Sequence, residues 1–242
     1  MTRAIIFDFD GVIADSEVLS NTVLAEVVTE LGVPTTLEDA YRDYMGKRFC
    51  DVIAAIEQTV GRSLPASFAE AYQERTLTRF RQDLAPIVGV KEFIATFADL
   101  PRCTASSSSP DRLALCLDVL GMAALFEDRV FSASNVARGK PHPDIFLHAA
   151  SEIAMSPRDC IIIEDSAGGV VAGRAAGATV IGLLAAGHIG DGHADALKNA
   201  GAHYLASDYR ALEAIVRNLL ASRDGIDGTS AGAVPLSGRG QG

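Results

Sequence analysis

The sequence predicts an α/β fold: a parallel sheet with helices on both faces, interrupted after its first strand by an inserted helical cap. Three observations predict it. A short apolar run, Ala4 to Phe9, opens the chain and is bounded by Gly11. From Ser16 to about Ala85 the texture is helical throughout. After Gly89, strand-like and helix-like runs alternate, which is the pattern of parallel strands joined by helical crossovers.

Taken in order, Ala4–Phe9 reads as a buried strand. "SEVLSNTVLAEVVTELG" then spaces Val18, Leu19, Val23, Val27 and Leu31 at helical intervals and stops at Gly32, a residue suited to ending a helix. "TLEDAYRDYM" and "DVIAAIEQTVG" repeat the texture, and "PASFAEAYQERTLTRFRQDL" starts with a proline suited to a first helical turn. Beyond Gly89 come helix "VKEFIATFADL", strand "RCTASS", helix "PDRLALCLDVLG" and strand "DRVFSA". Helix "PDIFLHAASEIA", strand "DCIIIED", helix "AGGVVAGRAAG" and strand "ATVIGLL" follow. The Gly/Ser-rich end cannot bury enough apolar surface to offset its ordering. The expected division is therefore a core of residues 1–15 and 87–224, a cap of 16–86 and a disordered tail of 225–242.

Bulk properties narrow the function. With 242 residues, 48% of them hydrophobic, the chain can fill a core and a small second domain. A formal net charge of -10 argues against a nucleic-acid or anionic-membrane surface, so an anionic substrate would need a local basic cluster. Cys50, Cys103, Cys116 and Cys160 lack metal-type spacing, and Cys103 and Cys160 read as buried, reduced thiols. No apolar run reaches the ~18 residues of a membrane span, and no leader precedes the first strand. A soluble, cytoplasmic protein is expected, acting as a monomer or weak homodimer on a small molecule.

Polar residues at the strand ends carry the chemistry, because ligands of parallel α/β sheets bind beyond the carboxyl ends of the strands. Asp8 and Asp10 close the first strand, on one side of it by alternation; each would be costly if buried alone. Ser106, Ser107 and Ser108 end the second, and Glu164 and Asp165 a later one. "GKPHPDIF" adds Lys140. Three or four carboxylates, a hydroxyl and an ammonium thus converge on one edge, an oxygen-rich set that suits Mg2+ completed by a phosphate. Backbone N–H groups of the Asp8–Gly11 turn should help hold that phosphate, with Gly11 permitting close approach. Simpler readings stand beside these: a strand-exit role for the aspartates, and a helix cap among Ser106–Ser109 before Pro110. "GHIGDGH", with His188, Asp191 and His193, reads as a solvated turn despite its metal-like composition.

Four of these segments, "DFDGV", "TASSSS", "GKPHP" and "IIIEDS", resemble in order and chemistry the four motifs of the haloacid dehalogenase superfamily of aspartate-nucleophile phosphotransferases. The likeness runs from Ile5 to about Leu184 and is greatest to the branch of β-phosphoglucomutases and sugar-phosphate phosphatases, 6-phosphogluconate phosphatases included. It implies a Rossmann-like core with a small α-helical cap. It implies Asp8 as the nucleophile that takes the phosphoryl group, and Asp10 as general acid and base whose backbone carbonyl also binds Mg2+. By the same resemblance Ser106 hydrogen-bonds a phosphoryl oxygen, Lys140 offsets charge, and Glu164 and Asp165 hold the metal with Asp8; Ser107 and Gly11 stand beside them as candidate substrate-binding residues.

The resemblance also brings rivals. Dehalogenases and phosphonoacetaldehyde hydrolases lack the second aspartate, which is Asp10 here. β-Phosphoglucomutases carry a histidine where this chain has Ser20 and an arginine where it has Phe49, which disfavours a phosphomutase. A non-catalytic binding protein on the same scaffold would tend to lose the nucleophile or the metal carboxylates, and all are present. Specificity would fall to the cap, where Lys47 and Arg48 follow Gly46 and could meet an acidic or polyhydroxy substrate tail.

Overall fold

A computed structural model of the chain describes residues 3–45 and 49–224. The chain divides into two compact units, one built from Met1–Ala14 and Pro86–Gly242, the other from Asp15–Ala85. Strand β1 (Ala4–Phe7) opens the first unit. The second unit follows as four helices: α1 (Glu17–Glu30), α2 (Leu37–Asp43), α3 (Phe49–Val60) and α4 (Phe68–Asp83). The first unit resumes with α5 (Val90–Thr96), β2 (Arg102–Ser106), α6 (Pro110–Val119), α7 (Ala123–Phe126) and β3 (Val130–Ser132). It continues with α8 (Asp144–Glu152), β4 (Cys160–Glu164), α9 (Ala167–Ala175) and β5 (Thr179–Leu183). Helix α10 (His193–Asn199), strand β6 (Tyr204–Ala206) and helix α11 (Tyr209–Asp224) complete it.

The six strands form one parallel, Rossmann-like sheet in the order β3-β2-β1-β4-β5-β6. Both faces are covered, which is why the central strands are apolar at nearly every position. Ala4, Ile6, Cys103, Ala105, Ile162 and Val180 pack on one face against Phe146 of α8, Val170 of α9 and Leu197 of α10. On the other, the Phe7 ring meets Phe93 of α5 and Phe126 of α7 edge-on, at centroid separations of 6.0 and 5.9 Å. Tyr209 of α11 joins Phe93 there at 5.2 Å. In the second unit, Leu24 and Val28 of α1 form a separate core with Ala40, Val52, Ile56 and Phe68. Thr36 closes a capping box at the start of α2: its hydroxyl accepts from Asp39 N–H (3.1 Å) while Asp39 Oδ2 accepts from Thr36 N–H (2.9 Å).

Several expectations are corrected. β1 ends at Phe7, not Phe9. Asp8 N–H still donates to Ile163 O at 2.9 Å, but Phe9 O then accepts from the N–H groups of Ile13 and Ala14, which turns the chain. Asp8 and Asp10 are therefore not same-side positions of one strand. Helix α4 starts at Phe68, and Pro65 lies before it with its carbonyl accepting Phe68 N–H. In α1 the buried face runs through Ser20, Asn21, Val23, Leu24, Ala25 and Val28, so of the spaced apolar residues Val23 is buried while Val18, Leu19, Val27 and Leu31 are half-buried. Apolar residues surround that helix on most sides, so spacing alone does not resolve its face. Four elements, α7, α10, β6 and α11, lie outside the predicted pattern: the first three are short, with α10 mostly polar. The expected disordered tail lies outside the described residues. Of the cysteines, Cys103, Cys116 and Cys160 are buried and Cys50 is exposed, all as free thiols. No described helix is long and apolar enough to cross a membrane.

Candidate active site

The strand order reverses its direction of growth between β1 and β4, and in such sheets the crevice outside the carboxyl ends at that point is where ligands bind. Asp8 leaves β1 there, and Glu164 and Asp165 leave β4. One carboxylate oxygen from each of Asp8, Glu164 and Asp165 lies within 4.8 Å of the others, and all three residues are buried. Lys140, from the segment before α8, enters the same cluster. Its Nζ donates to Asp8 Oδ1 at 2.6 Å and to Glu164 Oε1 at 2.5 Å, and stands 4.9 Å from the centroid of the Phe146 ring. The remaining oxygen of Glu164 accepts from the N–H (2.9 Å) and hydroxyl (3.0 Å) of Ser166, which itself caps α9 by accepting from Gly169 N–H. A Cβ on Gly169 would fall 1.7 Å from Glu164 Oε1, so the carboxylate occupies the space a side chain would need.

Charge is unbalanced here. Burial pushes the Asp8 carboxyl well above the usual carboxylate range, and Glu164 and Asp165 add to that against the pull of the Lys140 ammonium. Burial also presses on Lys140 in the sense that would deprotonate it, but Asp8 and Glu164 outweigh this and hold its pKa above the ordinary lysine value. One ammonium faces three carboxylates, and buried charge of one sign is costly unless matched. An all-oxygen donor set with surplus negative charge fits a hard divalent cation. Asp8, Glu164 and Asp165 would hold it.

Asp10 lies outside this cluster. Its Oδ1 accepts from Arg112 Nη2 at 2.7 Å and its Oδ2 from the Ser108 hydroxyl at 2.6 Å. The turn carrying Ser108 is fixed twice: Ser132 Oγ donates to Ser108 O at 2.7 Å, and Ser108 N–H donates to Ser106 Oγ at 3.0 Å. Ser106 is buried at the end of β2, Ser107 is exposed, and Ser109 caps α6 through Arg112 N–H. The structure thus assigns the serine run both parts: Ser109 is the helix cap, and Ser108 meets Asp10.

Gly11 is corrected. Its N–H donates to Ala14 O at 2.8 Å and so is committed within its own turn. The missing side chain makes room for Asp165: with φ at +76°, a Cβ would sit 1.8 Å from Asp165 Oδ2. The reading of residues 187–193 as a solvated turn also needs revision, because His188 is buried against Asp165 while Asp191 is exposed. Lys47 and Arg48 lie outside the described residues.

Sequence reasoning missed Arg112, Ser108 and His188 as neighbours of the carboxylates. Arg112 had a detectable signal: it sits in the first turn of α6, where the helix dipole disfavours a cation. A nearby carboxylate removes that penalty. For His188 the signal was the composition of "GHIGDGH", but its burial against Asp165 follows from tertiary packing and not from local pattern.

Comparison with known proteins gives the family. Residues 5–183 match the family model described as haloacid dehalogenase-like hydrolase. The chain is 27% identical over 187 residues to 6-phosphogluconate phosphatase of Escherichia coli, covering 77% of this chain and 84% of that protein. It is 30% identical over 179 residues to the phosphorylated carbohydrates phosphatase of Thermotoga maritima, covering 72% and 82%. A solved haloacid dehalogenase-like protein from Agrobacterium tumefaciens superposes with a TM-score of 0.82 at 34% identity, over 91% of this chain and all of that one. With the match running from β1 to β5 and through the segments that carry Asp8, Asp10, Glu164 and Asp165, the chain belongs to the haloacid dehalogenase-like hydrolase family.

Proposed function

We propose that the protein is a Mg2+-dependent phosphatase that hydrolyses a small, sugar-derived phosphomonoester through an aspartyl phosphate on Asp8. The observation that carries the proposal is the buried cluster of Asp8, Lys140, Glu164 and Asp165 where the sheet changes direction. The names of the two phosphatase relatives support the substrate class. A divalent cation, when bound, would offset phosphoryl charge. An Asp8 oxygen attacks phosphorus, and the bond to the ester oxygen breaks. Asp10 gives a proton to the departing alkoxide, then takes one from the water that cleaves the aspartyl phosphate, restoring Asp8 and releasing phosphate. Each Asp10 oxygen accepts one hydrogen bond, from Ser108 and Arg112, and keeps a second lone pair through which a proton can pass. Lys140 neutralises charge, and Ser106 and Ser107 would bind phosphoryl oxygens, as positioning and electrostatics dominate such transfers. Phe49 stacks on Tyr72 at 5.4 Å and supplies no cation, which weighs against the phosphomutase alternative. Four free cysteines suit a reducing compartment, the cytoplasm.

Phosphate release from a panel of sugar phosphates tests the proposal. Turnover should vanish in EDTA, return with Mg2+ and stay low with Ca2+, which prefers more ligands and looser geometry. Full turnover by metal-free protein would overturn it. For specificity, the proposal gives Arg48 and Lys47 the acidic or polyhydroxy end of the substrate. Arg48→Ala should lower kcat/KM for an acidic substrate such as 6-phosphogluconate about ten- to a hundredfold, roughly 1.4–2.8 kcal/mol, and leave p-nitrophenyl phosphate hydrolysis nearly unchanged. An equal loss on both substrates would move Arg48 to phosphate binding or structure.

A further inference from the structure

Asp165 is held from the segment that follows β5, to which the proposed chemistry gives no part. His193 Nε2 lies 2.5 Å from the Asp165 backbone oxygen, and His188 Nε2 lies 3.3 Å from Asp165 Oδ2. The backbone oxygen can only accept, so His193 presents an N–H at Nε2, and toward an ionised Asp165 carboxylate His188 does the same. The His188 side chain is 5% exposed and the Asp165 side chain 6%. The two rings meet edge-on at 5.7 Å and brace one another. On the other side stands Gly11, where a Cβ would fall 1.8 Å from Asp165 Oδ2 and 3.0 Å from His188 Cε1. Oδ2 is thus clamped between backbone and imidazole, while the main chain of Asp165 is pinned by the second histidine.

We propose that His188, supported by His193, is a positioning residue for the divalent cation: it fixes one oxygen of Asp165 so that the other is presented as the ligand atom. The proposal rests on the reading of Asp165 as a metal ligand. Its physical basis is that a ligating carboxylate loses orientational freedom when its second oxygen is hydrogen-bonded, so less ordering remains to oppose metal binding.

The test uses Mn2+ as the probe. The metal is titrated into the full chain, and free Mn2+ is read from its electron paramagnetic resonance signal, which requires no turnover. Asp165→Asn should abolish or severely weaken binding. His188→Ala should raise the Mn2+ Kd about 10–100-fold, and His188→Gln, which keeps an amide donor near the Nε2 position, should recover most of that loss. If His188→Ala loses its fold, His188→Phe fills the volume without a donor and is read in the same way. A Kd within about twofold of the parent for the donor-less variant, or an equal loss in His188→Gln, overturns the proposal while Asp165→Asn still weakens binding. Parent-like binding by Asp165→Asn overturns the metal-ligand reading itself.

Discussion

Asp8→Asn should lower kcat by at least about 10⁴-fold, some 5.4 kcal/mol of lost transition-state stabilisation, because an amide cannot form the aspartyl phosphate. The same change should not weaken the fold. Asp8 is buried beside Glu164 and Asp165, and its folded pKa is raised, so its ionised form works against folding. For a carboxyl shifted in this direction, stability is full below the ordinary carboxylate pKa and is lost as pH rises through the folded one. An amide removes that loss, and its oxygen can still accept from Lys140. Thermal unfolding at pH 8 in EDTA should therefore show Asp8→Asn at least as stable as the parent. Turnover within tenfold of the parent would remove Asp8 from the nucleophile role, and a large fall in Tm would contradict the account of its burial.

Lys140→Met should do the reverse to stability and is the second large effect. It leaves three buried carboxylates with no ammonium, and breaking a buried ion pair by removing one partner costs about 3–5 kcal/mol. For a protein of this size that corresponds to a fall in Tm of about 6–20 °C. The sign with pH follows from Asp8. Removing the cation raises a folded pKa that is already raised, so the deficit is greatest above that pKa. It shrinks as the carboxyls protonate, becoming small near pH ~4. Mg2+ should also reduce it by supplying the missing positive charge. A parent-like Tm at pH 8 without metal would show that the cluster does not need Lys140 for its charge balance.

The parts of this site legible in the sequence are those whose chemistry sits at strand ends. Asp8, Glu164 and Asp165 each follow an apolar run, so strand direction alone brings them to one edge. Lys140 is different: it lies in a loop, and only the motif around it suggested its place. Strand alternation misled where the strand stopped early, since the turn at Phe9 sends Asp10 toward Arg112 instead of Asp8. The contacts of Ser108, Arg112 and His188 join residues far apart in the chain, and no local pattern encodes them. For Gly11 the smallness was legible, and that a carboxylate oxygen of Asp165 stands in that space was not. Helix α11 could have been read: Tyr209, Leu212, Ile215 and Val216 are buried along one stripe of it.

The place of β1 in the sheet has a kinetic consequence. The first strand made is the central one, and its neighbours are late: Ile5 pairs with Arg102 and Ala4 with Cys160. During synthesis the apolar run at residues 4–7 must wait, unpaired, until the second strand has emerged, and one of its edges stays open until the fourth has, while the helices of Asp15–Ala85 have only local partners to find. Sheet closure across such separations is entropically slow, which favours a nascent chain in which the helical unit condenses before the sheet. Catalytic competence then arrives late and at one step, since the pairing of β1 with β4 also brings Asp8 to Glu164 and Asp165.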